Sequence, residues 1–165
     1  MPGNSKRYLV LMRHAKALPH NFHTNDRERK LSEEGEKQAK LSAEYLVTIN
    51  FIPQLIITSS ASRALQTAKI VSEILNLSNN IIITNDELYY GDIDAYFYQI
   101  YKVDNNVKKL MLVGHNPVIA MLAAMLTDYS INKMKTASLL GLEIFSDTWA
   151  DFDQKTKKIT FLFTP

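Results

Sequence analysis

The sequence predicts an α/β fold, a three-layer α/β/α sandwich around a mostly parallel sheet with an antiparallel edge strand. Two observations predict it. Short apolar runs rich in Val and Ile alternate with longer segments of helical period, which is typical of βαβ units. The last two apolar runs are separated by too few residues for a packed crossover helix, which indicates an antiparallel hairpin at the edge.

The first half of the chain contains two predicted pairs of a strand and a helix. The strand "RYLVLM" precedes the helix "LSEEGEKQAKLSAEYLVTI", which Ser32 caps. The core face of this helix consists of Ala39, Ala43 and Leu46. The strand "LIITSS" precedes the helix "SRALQTAKIVSEIL". The core positions of this second helix are Leu65, Ala68, Val71 or Ser72, and Leu75.

The second half contains the remaining predicted strands. "NIIIT" is the third strand, and "KKLMLVGH" is the fourth. The fourth strand leads into the helix "PVIAMLAAML", with Pro117 in its first turn. "SLLGLEIF" and "KKITFLF" form the edge hairpin. The polar segment "LPHNFHTNDRERK" predicts a loop after the first strand, and binding residues commonly lie in such loops.

Length and composition predict one folded domain over residues 1–165. Hydrophobic residues make up 46% of the chain and charged residues 22%, which is ordinary for a globular protein. The absence of cysteine excludes disulfides and thiolate metal sites and fits a reducing compartment. A formal net charge of +2 is too small to indicate nucleic-acid binding.

The apolar segments do not predict export or a membrane span. The start "MPGNSKRYLV" lacks the long apolar core of a signal peptide. The longest apolar region, "LMLVGHNPVIAMLAAML", is interrupted in its middle by "GHNP". We therefore expect a cytoplasmic protein that does not act on membranes.

Polar residues follow four predicted strands at the points where they end. Arg13 and His14 end the first strand, Arg63 follows the second, Glu87 follows the third and His115 ends the fourth. Ligands of open α/β sheets bind at this edge, so these groups should meet there. Arginine forks match phosphate oxygens, and an imidazole can attack phosphorus. The set therefore predicts phosphoryl transfer without a metal or another cofactor.

Two further histidines, His20 and His23, lie in the predicted loop without additional metal-ligand candidates. We interpret them as structural or rim residues.

Three motifs in order resemble the histidine phosphatase superfamily, also called phosphoglycerate mutase-like. They are "MRHA" after the first strand, "SASRALQTA" after the second, where Ser59 and Ser60 also fit the serine position with a one-residue offset, and "LVGHNP" after the fourth. Within this superfamily the chain resembles the short SixA-type phosphohistidine phosphatases. Ala15, the absence of long insertions and "DRERKLSEEG" carry that resemblance, although Lys30 replaces the proline of the branch's Asp-x-x-Arg-Pro-Leu-Thr-x-x-Gly pattern.

The resemblance implies a role for each matched residue. His14 would be the nucleophile that becomes phosphorylated, and Arg13, Arg63 and His115 would stabilise the charge on the phosphoryl oxygens. Arg29 would add a phosphate contact.

The general acid stays open among three carboxylates. Glu87 stands four residues before Gly91, as the acid of mutase-type relatives does, while Asp86 and Asp92 compete and no acid is a fourth possibility. A phosphohistidine substrate makes little demand on an acid, because its imidazole leaving group can arrive protonated.

The preferred function is therefore a metal-independent phosphatase that acts through a covalent phosphohistidine. Its expected substrate is phosphohistidine on a signalling or phosphotransfer protein, because a short chain leaves an open site. Two alternatives are a phosphatase of the same superfamily for small phosphomonoesters and a phospho-binding module without turnover. The complete set of Arg13, His14, Arg63 and His115 argues against the module.

Overall fold

The structure is a computed structural model that describes residues 5–131 and 133–165. Six strands lie in this part of the chain: β1 (Lys6–Arg13), β2 (Leu55–Ser59), β3 (Ile82–Asn85), β4 (Lys109–Gly114), β5 (Leu139–Phe145) and β6 (Lys157–Phe163). Five α-helices accompany them: α1 (Glu33–Thr48), α2 (Ser62–Ile74), α3 (Glu87–Tyr90), α4 (Ile93–Tyr101) and α5 (Val118–Leu126). None of these helices combines the length and the hydropathy that are needed to cross a membrane.

The six strands form one sheet in the order β3-β2-β4-β1-β5-β6. Strands β1 to β4 pair in parallel. Strand β5 pairs antiparallel with both β1 and β6. The prediction of a mostly parallel sheet with an antiparallel edge is confirmed, and the parallel part aligns the carboxyl ends of four strands at one edge.

Helices cover both faces of the sheet. Val10 and Met12 of β1 belong to the core beneath α1 and α2, whereas Leu9 and Leu11 belong to the core beneath α4 and α5. Strands of this kind are buried on both sides, which explains why β1 reads as a continuous apolar run. The predicted three-layer sandwich is therefore confirmed.

In α1 and α2 the predicted N-cap and core positions are confirmed with one exception, and Pro117, predicted in the first turn of its helix, is instead the residue that precedes α5. The Ser32 hydroxyl accepts a 3.0 Å hydrogen bond from the Gly35 amide at the start of α1. In α2, the predicted core residue Leu65 is only half-buried, and Ala64 is buried in its place. The reason is that Ala64 stacks one helical turn before buried Ala68, which turns Leu65 towards the side of the helix.

Helices α3 and α4 were not predicted from the sequence, and β3 begins two residues later than expected because Asn79–Ile81 form a 3-10 turn. The Asp92 side chain caps α4 by accepting hydrogen bonds from the Asp94 and Ala95 amides. Tyr96 and Ile100, one turn apart, are buried against the sheet. Through Tyr96, this unpredicted helix reaches the candidate site.

Candidate active site

A cavity of about 680 Å³ opens at the carboxyl ends of the parallel strands. Five of the predicted site residues line it: Arg13, His14, Arg29, Arg63 and His115. Arg13, His14 and His115 lie at the ends of adjacent parallel strands, whereas Arg63 lies in the first turn of α2 and Arg29 on the loop that follows β1. Lys16, Asp26, Tyr89, Tyr90 and Asn116 are among the other lining residues.

The pairing of β1 with β4 sets the two histidines side by side. Arg13 lies opposite Gly114 in this register, so His14 and His115 are the next residues of adjacent strands. The His14 amide continues the ladder by donating a 3.0 Å hydrogen bond to the Gly114 carbonyl. The two imidazole ring centroids are 4.9 Å apart. A phosphoryl group in the cavity can therefore meet both rings.

The imidazole of His14 presents a lone pair. The side chain is only 8% exposed, and its Nδ1 lies 2.7 Å from the Ala15 carbonyl oxygen. A carbonyl can only accept, so Nδ1 carries the proton and Nε2 has a free lone pair. Burial lowers the pKa of His14 to about 4, with Arg63 and Arg13 adding to the effect and the Ala15 hydrogen bond opposing it. The ring is neutral at pH 7, as a nucleophile requires.

The imidazole of His115 is held from two sides. Its Nε2 lies 2.7 Å from the Ser59 hydroxyl, and Tyr89 packs edge-on against its ring. Its amide donates a 3.1 Å hydrogen bond to the Tyr96 hydroxyl. Burial, together with the neighbouring His14 and Arg63, lowers the pKa of His115 to about 3. This second imidazole is therefore also neutral at pH 7.

Gly114 allows Tyr96 to approach the strand end. A Cβ atom at Gly114 would lie 2.5 Å from the Tyr96 hydroxyl oxygen, which is closer than real Cβ contacts. The Tyr96 hydroxyl in turn donates a 2.9 Å hydrogen bond to the Leu88 carbonyl. The glycine of the "LVGHNP" motif thus has a steric function beside the histidine.

Three arginines supply positive charge to the cavity. The Arg13 guanidinium donates a 3.0 Å hydrogen bond to the Met134 carbonyl and is half-buried. Arg63, in the first turn of α2, is only 5% exposed and donates a 2.8 Å hydrogen bond to the Asp26 carbonyl, which precedes α1. Arg29 lies on the loop that follows β1 and donates to the Leu18 carbonyl at 3.1 Å. Guanidinium groups of this kind match the oxygens of a phosphoryl group.

Asp26, which the sequence reasoning did not single out, connects two of these arginines. One carboxylate oxygen accepts hydrogen bonds from Arg29, and the other accepts from Arg63 at 3.1 Å and from the Tyr89 hydroxyl at 2.8 Å. Burial raises the pKa of Asp26, but Tyr89, Arg63 and Arg29 outweigh it and lower the pKa to about 2. Asp26 opens the "DRERKLSEEG" segment, which was the available sequence signal.

Two further residues of the "SASRALQTA" motif link α2 to the segment after β1. The Thr67 hydroxyl accepts a 3.0 Å hydrogen bond from the Ala15 amide and donates to the Arg63 carbonyl. The Gln66 side chain accepts from the Leu31 amide at 2.8 Å. The Thr67 contact fixes the backbone next to His14, and the Gln66 contact holds the backbone just before α1.

The structure does not bring Glu87 into the cavity. Its side chain is exposed, and its carboxylate accepts a 2.9 Å hydrogen bond from Gln99. The physical reason is that Glu87 begins the one-turn helix α3, which turns Tyr89 and Tyr90 towards the cavity instead. The competing carboxylates also have other partners, because Asp86 pairs with Arg27 and Asp92 caps α4.

The two loop histidines, His20 and His23, are exposed and line no part of the cavity. Within residues 5–131 and 133–165, no group of three or more His, Asp or Glu side chains is arranged to hold a metal ion.

The fold and the cationic pocket at its strand ends define a phosphatase. The chain belongs to the histidine phosphatase superfamily, because the sequence model of branch 1 of that superfamily matches residues 9–106, more than half of the chain. Among curated proteins, an uncharacterized chloroplastic protein of Arabidopsis thaliana is 28% identical over 153 residues, which cover 88% of this chain and 70% of the relative.

Solved structures share the fold over nearly the whole chain. A proposed phosphohistidine phosphatase SixA from Agrobacterium tumefaciens is 26% identical, with a TM-score of 0.77 over 96% of this chain and 98% of the other. The protein histidine phosphatase SixA bound to tungstate is 21% identical, with a TM-score of 0.79 over 96% and 97%. A mycobacterial glucosyl-3-phosphoglycerate phosphatase is 19% identical, with a TM-score of 0.68 over 98% and 100%.

Proposed function

We propose that this protein hydrolyses phosphohistidine on another protein and carries the phosphoryl group on His14 during turnover. One observation carries the proposal: a neutral imidazole with a free Nε2 lone pair lies in a cavity lined by Arg13, Arg63 and His115. A nucleophile surrounded by phosphate-binding groups is the arrangement that covalent phosphoryl transfer needs.

In the first step, Nε2 of His14 attacks phosphorus in line with the leaving group. The new bond is P–Nε2, and the bond from phosphorus to the substrate imidazole breaks with its electron pair leaving on the substrate nitrogen. Arg13 and Arg63 neutralise the charge that spreads over the equatorial oxygens. The His14 ring becomes cationic, and the Ala15 carbonyl stabilises the proton on its Nδ1.

In the second step, water attacks the phosphorus of phosphorylated His14. The P–Nε2 bond breaks, its electron pair returns to Nε2, and inorganic phosphate leaves while the water proton passes to phosphate or solvent. Because Nδ1 keeps its proton throughout, His14 leaves this step in its starting, neutral form. The hydrogen bond between Nδ1 of His14 and the Ala15 carbonyl thus supports both the attack of His14 on phosphorus and the later release of phosphate from His14.

The protonation states in the cavity favour a substrate with a good leaving group. Asp26 is the carboxylate among the described lining residues, and its pKa of about 2 keeps it ionised at pH 7. The pKa of His115, about 3, keeps that ring neutral. Neither group holds an acidic proton for an alkoxide, whereas the imidazole of a phosphohistidine can leave already protonated. This supports a phosphoramidate substrate over an alkyl phosphate.

The rim of the cavity supports a protein as the carrier of the phosphohistidine. Tyr90 lines the cavity and is 72% exposed, and Leu18 and fully exposed Phe22 lie on the loop between two lining residues, Ala17 and Asp26. Exposed apolar side chains around a polar pocket are typical of surfaces that contact another protein. The likeness to SixA structures points in the same direction.

A side-by-side assay tests the proposal. We expect a protein phosphohistidine and p-nitrophenyl phosphate to be hydrolysed at least about 10²-fold faster than sugar phosphates, because general-acid assistance contributes on that order for poor leaving groups. A sugar phosphate hydrolysed as fast as the protein substrate would instead support a small-molecule phosphatase, the class to which the mycobacterial neighbour belongs.

Rim variants separate the carrier from the chemistry. Phe22→Ser and Leu18→Ser should raise KM for the protein substrate and leave turnover of p-nitrophenyl phosphate unchanged, because both residues are exposed on the rim and neither lines the cavity. Met125→Ser is the matched control, because Met125 is also exposed but lies on α5 and does not line the cavity. Equal KM values for the rim variants and the control on the protein substrate would contradict a protein-binding rim.

A further inference from the structure

Ser59 is a buried hydroxyl in contact with the second histidine. It is the last residue of β2, and it is fully buried. Its oxygen accepts a 3.2 Å hydrogen bond from the Ala61 amide and lies 2.7 Å from Nε2 of His115. The proposed phosphoryl transfer assigns this serine no chemical step, so its contact with His115 requires a separate explanation.

The buried hydroxyl hydrogen of Ser59 needs an acceptor. A serine hydroxyl donates a single hydrogen bond, and its contact with Ala61 is one in which the amide is the donor. Across residues 5–131 and 133–165, the group within reach that can accept the hydrogen is Nε2 of His115. If Nε2 carried the proton instead, the buried hydroxyl hydrogen would lack a partner, which native structures avoid.

We propose that Ser59 is a positioning residue that holds His115 in the tautomer with its proton on Nδ1. Since Nε2 is engaged by Ser59, Nδ1 is the ring nitrogen left for the cavity that His115 lines. Its N–H is then offered to a phosphoryl oxygen. This role rests on the proposed function for its consequence in catalysis, whereas the tautomer itself is a property of the free protein.

The choice of tautomer matters because His115 is neutral and has only one N–H. In the opposite tautomer, the ring would present a lone pair to the anionic phosphoryl oxygens and repel them. The strand pairing makes the contact rigid, since Thr58 pairs with Val113 of β4 and Ser59 pairs with Asn85 of β3. Ser59 therefore selects the donor form before substrate binds, so no reorganisation is needed during the reaction.

The direct test is the tautomer of His115 in the substrate-free protein labelled with ¹⁵N-histidine. Long-range ¹H–¹⁵N correlation spectra at pH 7 should show His115 protonated at Nδ1, with the signal assigned by its loss in His115→Asn. In Ser59→Ala, the signal should move towards the form protonated at Nε2. Protonation at Nε2 in the wild type, or an unchanged spectrum in Ser59→Ala, would overturn the proposal.

Kinetics supply the second readout. Ser59→Ala should lower kcat on p-nitrophenyl phosphate by on the order of 10²-fold with little change in KM, the scale expected when one transition-state donor is misdirected. Ser59→Thr, which keeps the hydroxyl, should recover both the rate and the tautomer. Thr58→Val is the matched control, because it removes the neighbouring buried hydroxyl, which donates to the Ser59 carbonyl and, in the part of the chain that the structure describes, makes no hydrogen bond with His115.

The two readouts separate this inference from the proposed function. A protein without phosphohistidine phosphatase activity but with His115 protonated at Nδ1 would refute the function and support the role of Ser59. Full activity with His115 protonated at Nε2 would support the function and refute the role of Ser59. Equal losses of kcat in Ser59→Ala and Thr58→Val, with the tautomer unchanged in both, would reduce Ser59 to a packing residue.

Discussion

His14 and His115 occupy similar positions in the fold but present different ring nitrogens to the cavity. Both follow adjacent parallel strands, His14 is buried and His115 is partly buried, and burial lowers the pKa of both. In our account both also carry their proton on Nδ1. The difference is the partner: a backbone carbonyl takes Nδ1 of His14, whereas a serine hydroxyl takes Nε2 of His115.

This difference shows how one residue type obtains two functions without a difference in charge. The carbonyl beside His14 leaves a lone pair facing the cavity, which suits attack on phosphorus. The hydroxyl beside His115 leaves an N–H facing the cavity, which suits donation to an oxygen. The neighbouring hydrogen-bond partner, not the imidazole itself, thus assigns the role. The following substitutions and conditions test this division.

The largest expected effect comes from removing the Nε2 lone pair of His14. His14→Asn should reduce turnover of p-nitrophenyl phosphate by at least about 10⁴-fold, because loss of a nucleophile leaves only the residual catalysis of the remaining binding groups. Steady-state kinetics and a thermal-unfolding control measure this. Retention of more than a tenth of the wild-type rate would mean that another group attacks phosphorus.

Removing the Nδ1–H donor of His115 should have a smaller effect. His115→Asn should lower kcat by on the order of 10² to 10³-fold, the range for one lost transition-state hydrogen bond. Burst kinetics should show slower phosphoryl transfer to an otherwise intact His14. A loss as large as that of His14→Asn, with no phosphoenzyme formed, would contradict the division of roles.

Acid should affect both histidines in the same direction. Because the pKa of folded His14 is about 4, kcat/KM should be level from about pH 5.5 to 7.5 and fall about tenfold per pH unit below pH 4. A bell-shaped profile with a rise near pH 6.5 would show that His14 has an ordinary pKa in the folded protein.

The same pKa values affect stability. Unfolded histidine has a pKa near 6.5, so between about pH 6.5 and 4 the unfolded chain binds more protons than the folded one. The free energy of unfolding should therefore decrease as pH falls through this window, by about 3 kcal/mol for His14 alone. Urea titrations at several pH values should show that the free energy of unfolding depends less on pH in His14→Asn than in the wild type. The same pH dependence in both proteins would contradict the lowered pKa of His14.

The smallest effect is expected at Glu87. Glu87→Gln should change kcat on phosphohistidine and on p-nitrophenyl phosphate by less than about twofold, because exposed substitutions outside a site have minor effects. Asp26→Asn is the informative contrast, since it removes the charge that holds Arg63 and Arg29. A large loss in Glu87→Gln would mean that this exposed carboxylate reaches the reacting group.

The sequence made the sheet and five of the cavity residues predictable for different reasons. Buried parallel strands read as apolar runs, and their carboxyl ends must share an edge, which places Arg13, His14, Arg63 and His115 together. Arg29 came from the resemblance of its loop segment. These inferences need only the strand order along the chain and local motifs.

The remaining features depend on contacts between distant segments. Asp26 acquires its role from Arg63 and Tyr89, which are 37 and 63 residues away in the sequence. Ser59 acquires its role from a histidine 56 residues away. The orientation of Glu87 is decided by the single turn of α3. Helix α4 was missed although Ile93, Tyr96 and Ile100 stand at helical spacing.

The most direct measurement traps the phosphorylated enzyme. Rapid quench in alkali during turnover of ³²P-labelled substrate, followed by peptide mapping and ³¹P NMR of the isolated peptide, locates the phosphoryl group. Our account predicts base-stable, acid-labile label on Nε2 of His14, because Ala15 occupies Nδ1. Label on Nδ1 of His14, on His115, or on Ser59, Ser60 or an aspartate would contradict it.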